Sequence, residues 1–222
     1  MRDTHCHILP GVDDGARDLA ESLRMAEAAR QVGVTSIVCT PHCRDPYFSY
    51  DAMWQAFFEL RDALAQTWSS CALTMGFEVQ VAKLRQLGSA WAPVLGCGMT
   101  EPASPDGSGE GREFLLELET GATARDFAQD YERAIFELQG MGYAVVIAHP
   151  ERYRAIQADL ALAERLVSLG CVLQCSASFL GLGPLNPVRR TARRLMRAGL
   201  CDRVASDAHR PEDYALLGRL RG

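Results

Sequence analysis

Short β-branched runs alternate with Ala-, Leu- and Arg-rich stretches along the chain, and this alternation restricts the fold more than any other feature. Residues 35–40, 72–77, 114–116, 143–148 and 171–175 predict buried strands, with shorter ones near 2–8 and at 203–206. Helices are expected over 19–32, where Gly33 marks the stop, and after Asp51, where Trp54, Phe57, Phe58, Leu60 and Leu64 form one apolar face. Further helices are expected over 124–139, 160–169 and 188–198, whereas 96–111 lacks periodicity and reads as an exposed loop. Parallel strands need crossovers, which these helices supply. Roughly seven strand–helix units favour an α/β protein closed, or nearly closed, into a barrel. A doubly wound sheet is the fallback, but no G-x-G-x-x-G follows any strand.

The 222 residues, 48% hydrophobic, suit a single domain over 1–222 with a sizeable core. A net charge of -5 provides no broad basic field for nucleic acid. The eight cysteines form no C-x-x-C pair and predict reduced core thiols, not a disulfide framework. His5 and His7 lie too near Met1 for a signal peptide to precede them, and no apolar run is long enough to span a bilayer. The expected compartment is therefore the cytoplasm.

All five histidines fall in four short motifs: Asp3-Thr4-His5-Cys6-His7, Thr40-Pro41-His42, Ala148-His149-Pro150 and Ser206-Asp207-Ala208-His209. Side chains alternate across a strand, so His5 and His7 face one way and Cys6 the other. His7, His42, Glu78, Glu117, His149 and Asp207 each fall at or just past the C-terminal end of a predicted strand, where barrel enzymes gather their active sites. Taken singly, the plainer reading is the stronger: His42 as a loop cap after Pro41, His149 as a core histidine bonded to backbone. Taken together it fails, because every histidine would have to reach the same end of successive strands by chance. Asp14, Glu78, Glu117 and Asp207 would crowd four carboxylates there, and crowded carboxylates repel unless divalent cations join them. Asp13-Asp14-Gly15 is also a common turn sequence, so one acid is expected to hold the turn while the other faces the cations.

Clustered divalent cations lower the pKa of a bridging water and clamp phosphoryl oxygens, so hydrolysis of a phosphate monoester fits this set best. Arg152, one short loop past His149, and Arg210, beside His209, are candidate phosphate ligands through paired hydrogen bonds. The plainer reading pairs them with Glu151 and Glu212 at the surface. No cysteine has arginine six positions later, which excludes a cysteine-nucleophile phosphatase. Lys83, the sole lysine, lies beyond the strand end that Glu78 occupies and is poorly placed for a carbamylated metal bridge. Glu21 and Arg24 on the first helix read as a surface ion pair or part of a contact between copies.

The segments 5–15 (HCHILPGVDDG), 40–42 (TPH), 76–78 (GFE), 116–117 (LE), 148–153 (AHPERY) and 206–209 (SDAH) resemble a known family. They are similar to the bacterial manganese-dependent protein-tyrosine phosphatases of capsule and exopolysaccharide systems (CpsB/CapC type), within the polymerase-and-histidinol-phosphatase (PHP) superfamily. The resemblance implies a distorted seven-stranded (β/α) barrel of the PHP type with three metals, manganese favoured and iron or zinc also compatible. It implies one metal on His5, His7, Glu78 and Asp207, a second on Glu78, Glu117 and His149, and a third on Asp14, His42 and His209. Arg152 and Arg210 would hold phosphate, and the partner would be the phosphorylated tail of a tyrosine kinase, with no membrane insertion and a homo-oligomer possible. Two alternatives stay open: a PHP phosphoesterase acting on a small metabolite such as histidinol phosphate or on a nucleotide, and a metal-stabilised regulatory module without catalysis.

Overall fold

A computed structural model describes residues 1–102 and 112–220. In chain order the elements are β1 (Arg2–Cys6), α1 (Leu19–Gln31), β2 (Ser36–Cys39), β3 (His42–Cys43), α2 (Tyr50–Thr67), β4 (Ala72–Met75), β5 (Glu78–Gln80), α3 (Val81–Leu87) and α4 (Ala92–Leu95). They continue with β6 (Glu113–Glu117), α5 (Ala124–Asp126), α6 (Glu132–Gly140), β7 (Ala144–Ala148), α7 (Arg154–Ala158), α8 (Ala161–Ser168), β8 (Val172–Ser176), α9 (Pro187–Arg197), β9 (Arg203–Ala205) and α10 (Tyr214–Gly218). Local chemistry sets several boundaries. The Asp18 side chain accepts from the Glu21 amide at 2.8 Å and starts α1, which ends before Gly33 at φ 82°. α2 buries Met53, Trp54, Phe57, Leu60 and Leu64, the face expected from their spacing.

All strand pairs are parallel, in the orders β1-β2-β4 and β3-β5-β6-β7-β8-β9. β3 prolongs β2 beyond Thr40-Pro41, and β5 prolongs β4 beyond Gly76-Phe77. Pro41 has no amide hydrogen to give, yet the ladder crosses the interruption: Gly76 N–H donates to Cys39 O at 2.8 Å and Glu78 N–H to Pro41 O at 3.1 Å. The two sheets therefore read as seven staves. Past β9 the chain returns to β1, where Asp207 N–H donates to His5 O at 2.8 Å and His7 N–H to Ala208 O at 2.9 Å. The expected α/β barrel is present in this distorted form. Phe114, Leu116, Val145, Ile147 and Leu173 point outward into the main core under the helices, while Leu115, Val146 and Ala148 share the opposite face with Val38 and Cys97.

The segment 96–111, expected as an exposed loop, is corrected in its first part. Cys97 and Met99 are buried, Cys97 N–H donates to Glu113 O at 2.8 Å and Met75 N–H to Met99 O at 2.6 Å. A side chain at Gly76 would meet Cys97 Sγ at 2.7 Å, so strand and returning segment are packed as closely as glycine permits. Residues 103–111 lie outside the described residues. The helix expected over 124–139 is broken by a π-helical turn at Phe127–Tyr131. Glu21 is buried and pairs with Arg17 (2.8 Å), not with Arg24. All eight cysteines are free thiols, and no helix among the described residues is long and apolar enough to cross a membrane.

Candidate metal centre

The strand ends converge on one cavity of about 240 Å3, lined by Asp14, His42, Arg44, Glu78, Glu117, Thr120, His149, Arg152, Asp207 and His209. β1 brings His5 and His7 up to its floor. Their Nε2 atoms lie 3.3 Å apart, as strand alternation requires, while Cys6 turns the other way toward Val38 O. Both imidazoles face Glu78 Oε2 (3.5 and 3.4 Å) and Asp207 Oδ1 (3.5 Å each). On the next staves His42 Nδ1 lies 2.7 Å from Glu78 Oε2, and His149 Nε2 lies 2.7 Å from Glu78 Oε1 and 3.9 Å from Glu117 Oε1. At the cavity's outer side, Asp14 Oδ1 lies 3.2 Å from His42 Nε2 and 3.4 Å from His209 Nε2.

Ligand-type atoms thus gather within 4.8 Å of one another in three groups: His5, His7 and Asp207; His42, Glu78 and Glu117; and His7, Asp14, His42 and His209. These overlap the three sets that the family resemblance implies, with His7 and His42 each shared between two groups and His149 in none of them. Arg210 lies apart from the cavity. Its guanidinium donates to the backbone carbonyls of Asp14 (3.2 Å), Gly15 and His209 (2.7 Å) and does not line the cavity.

Neighbouring residues explain why the site holds this shape. Asp13 takes the turn role: its carboxylate accepts from Gly15 N–H (2.9 Å) and His42 N–H (3.1 Å) and lies 2.8 Å from His7 Nδ1, aiming Nε2 at the cluster. A Cβ on Gly15 would meet His7 O at 2.0 Å, so the turn folds back on the strand only with glycine there. Asp3 accepts from both the amide (2.9 Å) and hydroxyl (2.6 Å) of Ser206 and anchors the 206–209 motif. His149 (φ 34°) and Asp207 (φ 51°) are the non-glycine residues with positive φ among those described. Such backbone costs on the order of 1–3 kcal/mol each and persists where surrounding contacts enforce it, often at functional sites.

Burial and the neighbouring imidazoles and carboxylates set the ionisation of these acids. Burial disfavours charge on Glu78, yet the His5, His149 and His42 imidazoles hold its carboxyl well below the usual range. For Asp207, burial is likewise outweighed, by His5, Arg152 and His7. Glu117 goes the other way, pushed up to about 7 by burial and then by the Glu78 charge. Two guanidiniums approach these acids. Arg152 pairs with Asp207 and donates to Ser176 Oγ (3.3 Å) and Ser178 Oγ (3.2 Å). Arg44 donates to His42 Nε2 at 2.8 Å and lies 3.5 Å from Asp14 and 3.6 Å from Glu117. Even so, Glu117 Oε2 and His149 Nδ1 are buried with no hydrogen-bond partner among the described residues, and His42 Nδ1 and Glu78 Oε2 face each other at 2.7 Å without a well-aligned hydrogen bond. Orphaned buried donors and acceptors are rare and costly, and their gathering in one cluster of imidazoles and carboxylates fits divalent metal ions.

Arg44, Thr120, Ser176 and Ser178 were not singled out in the sequence. Arg44 had a signal: it stands two residues after His42, so alternation places both on one face, as it does His5 and His7. The serines and Thr120 had none, because only the tertiary fold brings them beside Arg152 and the cavity. Glu151 does not pair with Arg152 at the surface. It is buried and accepts from Ser176 N–H at 2.9 Å. Lys83 sits on α3, 2.6 Å from Asp45 and apart from the cluster.

Comparison with known proteins gives a consistent picture. The profile of the family described as capsular polysaccharide synthesis, CpsB/CapC, matches residues 1–88 and 109–215. The chain is 32% identical over 211 residues to the tyrosine-protein phosphatase YwqE of Bacillus subtilis, covering 94% of this chain and 77% of that one. It is 30% identical to the putative tyrosine-protein phosphatase CapC of Staphylococcus aureus, covering the same shares. A solved structure described with YwqE from Bacillus subtilis and CpsB from Streptococcus pneumoniae as unique metal-dependent tyrosine phosphatases superposes with a TM-score of 0.80. That match has 29% identity and covers 99% of this chain and 87% of the other.

Proposed function

Because the chain belongs to the CpsB/CapC family, we propose that it is a metal-dependent protein-tyrosine phosphatase and that the cavity at the strand ends is its active site. One observation carries the reading: nine histidines and acids from distant stretches of chain line or floor one cavity, where buried Glu117 Oε2 and His149 Nδ1 are left without a hydrogen-bond partner. In this reading His5, His7, Glu78 and Asp207 hold one ion. Glu78, Glu117 and His149 hold a second, and Asp14, His42 and His209 a third, with manganese the favoured metal. Such ions supply a lowered pKa for water and neutralise phosphoryl oxygens.

The chain's own residues do the rest. Arg152, propped by Ser176 and Ser178 at the cavity edge, binds the phosphoryl group through parallel N–H donors. Asp13 keeps the His7 Nε2 lone pair turned into the cluster. A tyrosyl phosphate leaves as phenolate, a fair leaving group, so no strong general acid is required. The substrate is a phosphotyrosine-bearing polypeptide, with the tail of a tyrosine kinase of capsule or exopolysaccharide synthesis as the biological form, met in the cytoplasm.

The test is phosphate release from an aryl phosphate and a phosphotyrosine peptide, with manganese and after chelation. Release that depends on metal and prefers the aryl esters is expected. Equal rates with and without chelator would reject the proposal, and preference for an alkyl phosphate would favour a metabolite phosphatase. Full metal loading without turnover of any ester would favour a regulatory module.

A further inference from the structure

α9 carries Arg190, Arg193, Arg194 and Arg197, positions i, i+3, i+4 and i+7 of one helix, all exposed. Their face lies opposite the buried Thr191, Ala192 and Leu195. The helix contains no acidic residue, and Arg190, Arg193 and Arg197 meet no carboxylate among the described residues. Arg194 donates to Gln157 O at 3.0 Å and Arg189 to Leu182 O, so both keep an uncompensated charge. Only part of this array suits the helix: Arg194 and Arg197 stand in the last turn, where the dipole favours cations. Like charges three and four residues apart destabilise a helix, and Arg189 and Arg190 sit in the first turn, where the helix dipole disfavours cations. The arrangement is also set in a chain of net charge -5, against its general balance.

We infer that the α9 arginine stripe is a docking surface for a carboxylate-rich stretch of the phosphotyrosine-bearing substrate polypeptide. This rests on the phosphatase reading above and adds a second contact outside the cavity. α9 packs against Pro150–Arg152, the turn that carries Arg152, and against Ala177–Gly181, whose Ser178 holds the Arg152 guanidinium. α9 makes these contacts through its buried face, so the stripe lies on the outer side of the helix, about 10 Å (one helix diameter) from the turn that carries Arg152. From Arg190 to Arg197 it runs about 10 Å at the helical rise, the length of roughly three extended residues, so acidic side chains on a strand-like peptide match its spacing. A membrane surface is the poorer occupant. Insertion is closed to α9, whose apolar face is already buried against the barrel, which leaves only electrostatic attraction to anionic headgroups.

The experiment compares the metal-loaded wild type with the triple variant R190Q/R193Q/R197Q, whose circular dichroism and melting should be unchanged. Substrates are a phosphotyrosine peptide with a flanking Glu run, the same peptide with Gln in place of Glu, and a small aryl phosphate. The wild type should show a KM about five- to tenfold lower for the Glu peptide than for the Gln peptide, a difference that shrinks with added salt. The variant should lose that difference, with kcat and aryl phosphate hydrolysis unaltered. A wild type with no preference, or a variant that retains it, overturns the inference. If no ester is hydrolysed, the phosphatase reading fails separately, and fluorescence anisotropy with the labelled Glu and Gln peptides still decides the stripe. Stripe-dependent binding to phosphatidylserine vesicles without peptide preference would overturn it in favour of a membrane.

Discussion

At the scale of single residues, two side chains that do not belong to the expected ligand set control it. Asp13 engages His7, Gly15 and His42 with one carboxylate. Its loss should leave the ligands in place but unaimed. Asp13→Ala is expected to bind manganese about 10- to 100-fold more weakly by calorimetric titration, the usual cost of removing the partner of a metal-binding histidine. Unchanged affinity would show that the turn alone orients His7. Arg44 acts in the opposite sense. Its guanidinium donates to the His42 Nε2 lone pair, the one a cation at Asp14, His42 and His209 would use. Arg44→Met should therefore lower the melting temperature of chelator-treated protein and raise metal affinity. Weaker metal binding with unchanged melting would refute the competition. The sequence pointed to nine candidate ligands, six of them at predicted strand ends and the full set through the family resemblance, and the fold brings all nine to one cavity. The sequence did not separate Asp13 from Asp14, since only three-dimensional contact assigns one to the turn.

At the scale of elements, the staves split where proline or glycine interrupts them, and the splits bring the chemistry into position. Pro41 separates β2 from β3 and Gly76 separates β4 from β5, so His42 and Glu78 begin short second strands paired with each other. The unbroken strand expected over 72–77 ends earlier for this reason. Gly76→Ala would press a methyl against Cys97 Sγ at 2.7 Å and Cys97 Cα at 3.0 Å. A destabilisation of about 1–3 kcal/mol is expected by denaturant unfolding. Gly121→Ala, with nothing within 4 Å, should stay within about 0.5 kcal/mol of wild type. Equal effects at the two positions would contradict the packing. The helix expected over 124–139 illustrates the limit of periodicity, since a single π-helical turn changes the register by one residue without disturbing composition.

For the whole molecule, the buried thiols tie stability to pH. Burial pushes Cys171 up to about 12 and Cys97 and Cys71 up to about 11, from 9.0 in an exposed thiol. A folded pKa raised above the unfolded one means that the thiol's contribution is complete below pH 9 and is lost as pH rises through 11–12. Melting temperature should fall over that interval, and less so in Cys171→Ala. An identical slope in the variant would remove Cys171 from the account. Strand and helix alternation, strand-end histidines and reduced thiols were legible from the order of residues alone, because they follow from periodicity and side-chain chemistry. Two things were not: the closure of β9 onto β1 through His5 and Asp207, and the diversion of Arg210 to backbone carbonyls. Each depends on contacts between residues far apart in the chain or on a rotamer chosen by its surroundings. Neither quantity is carried by local sequence, so only the closed barrel decided them.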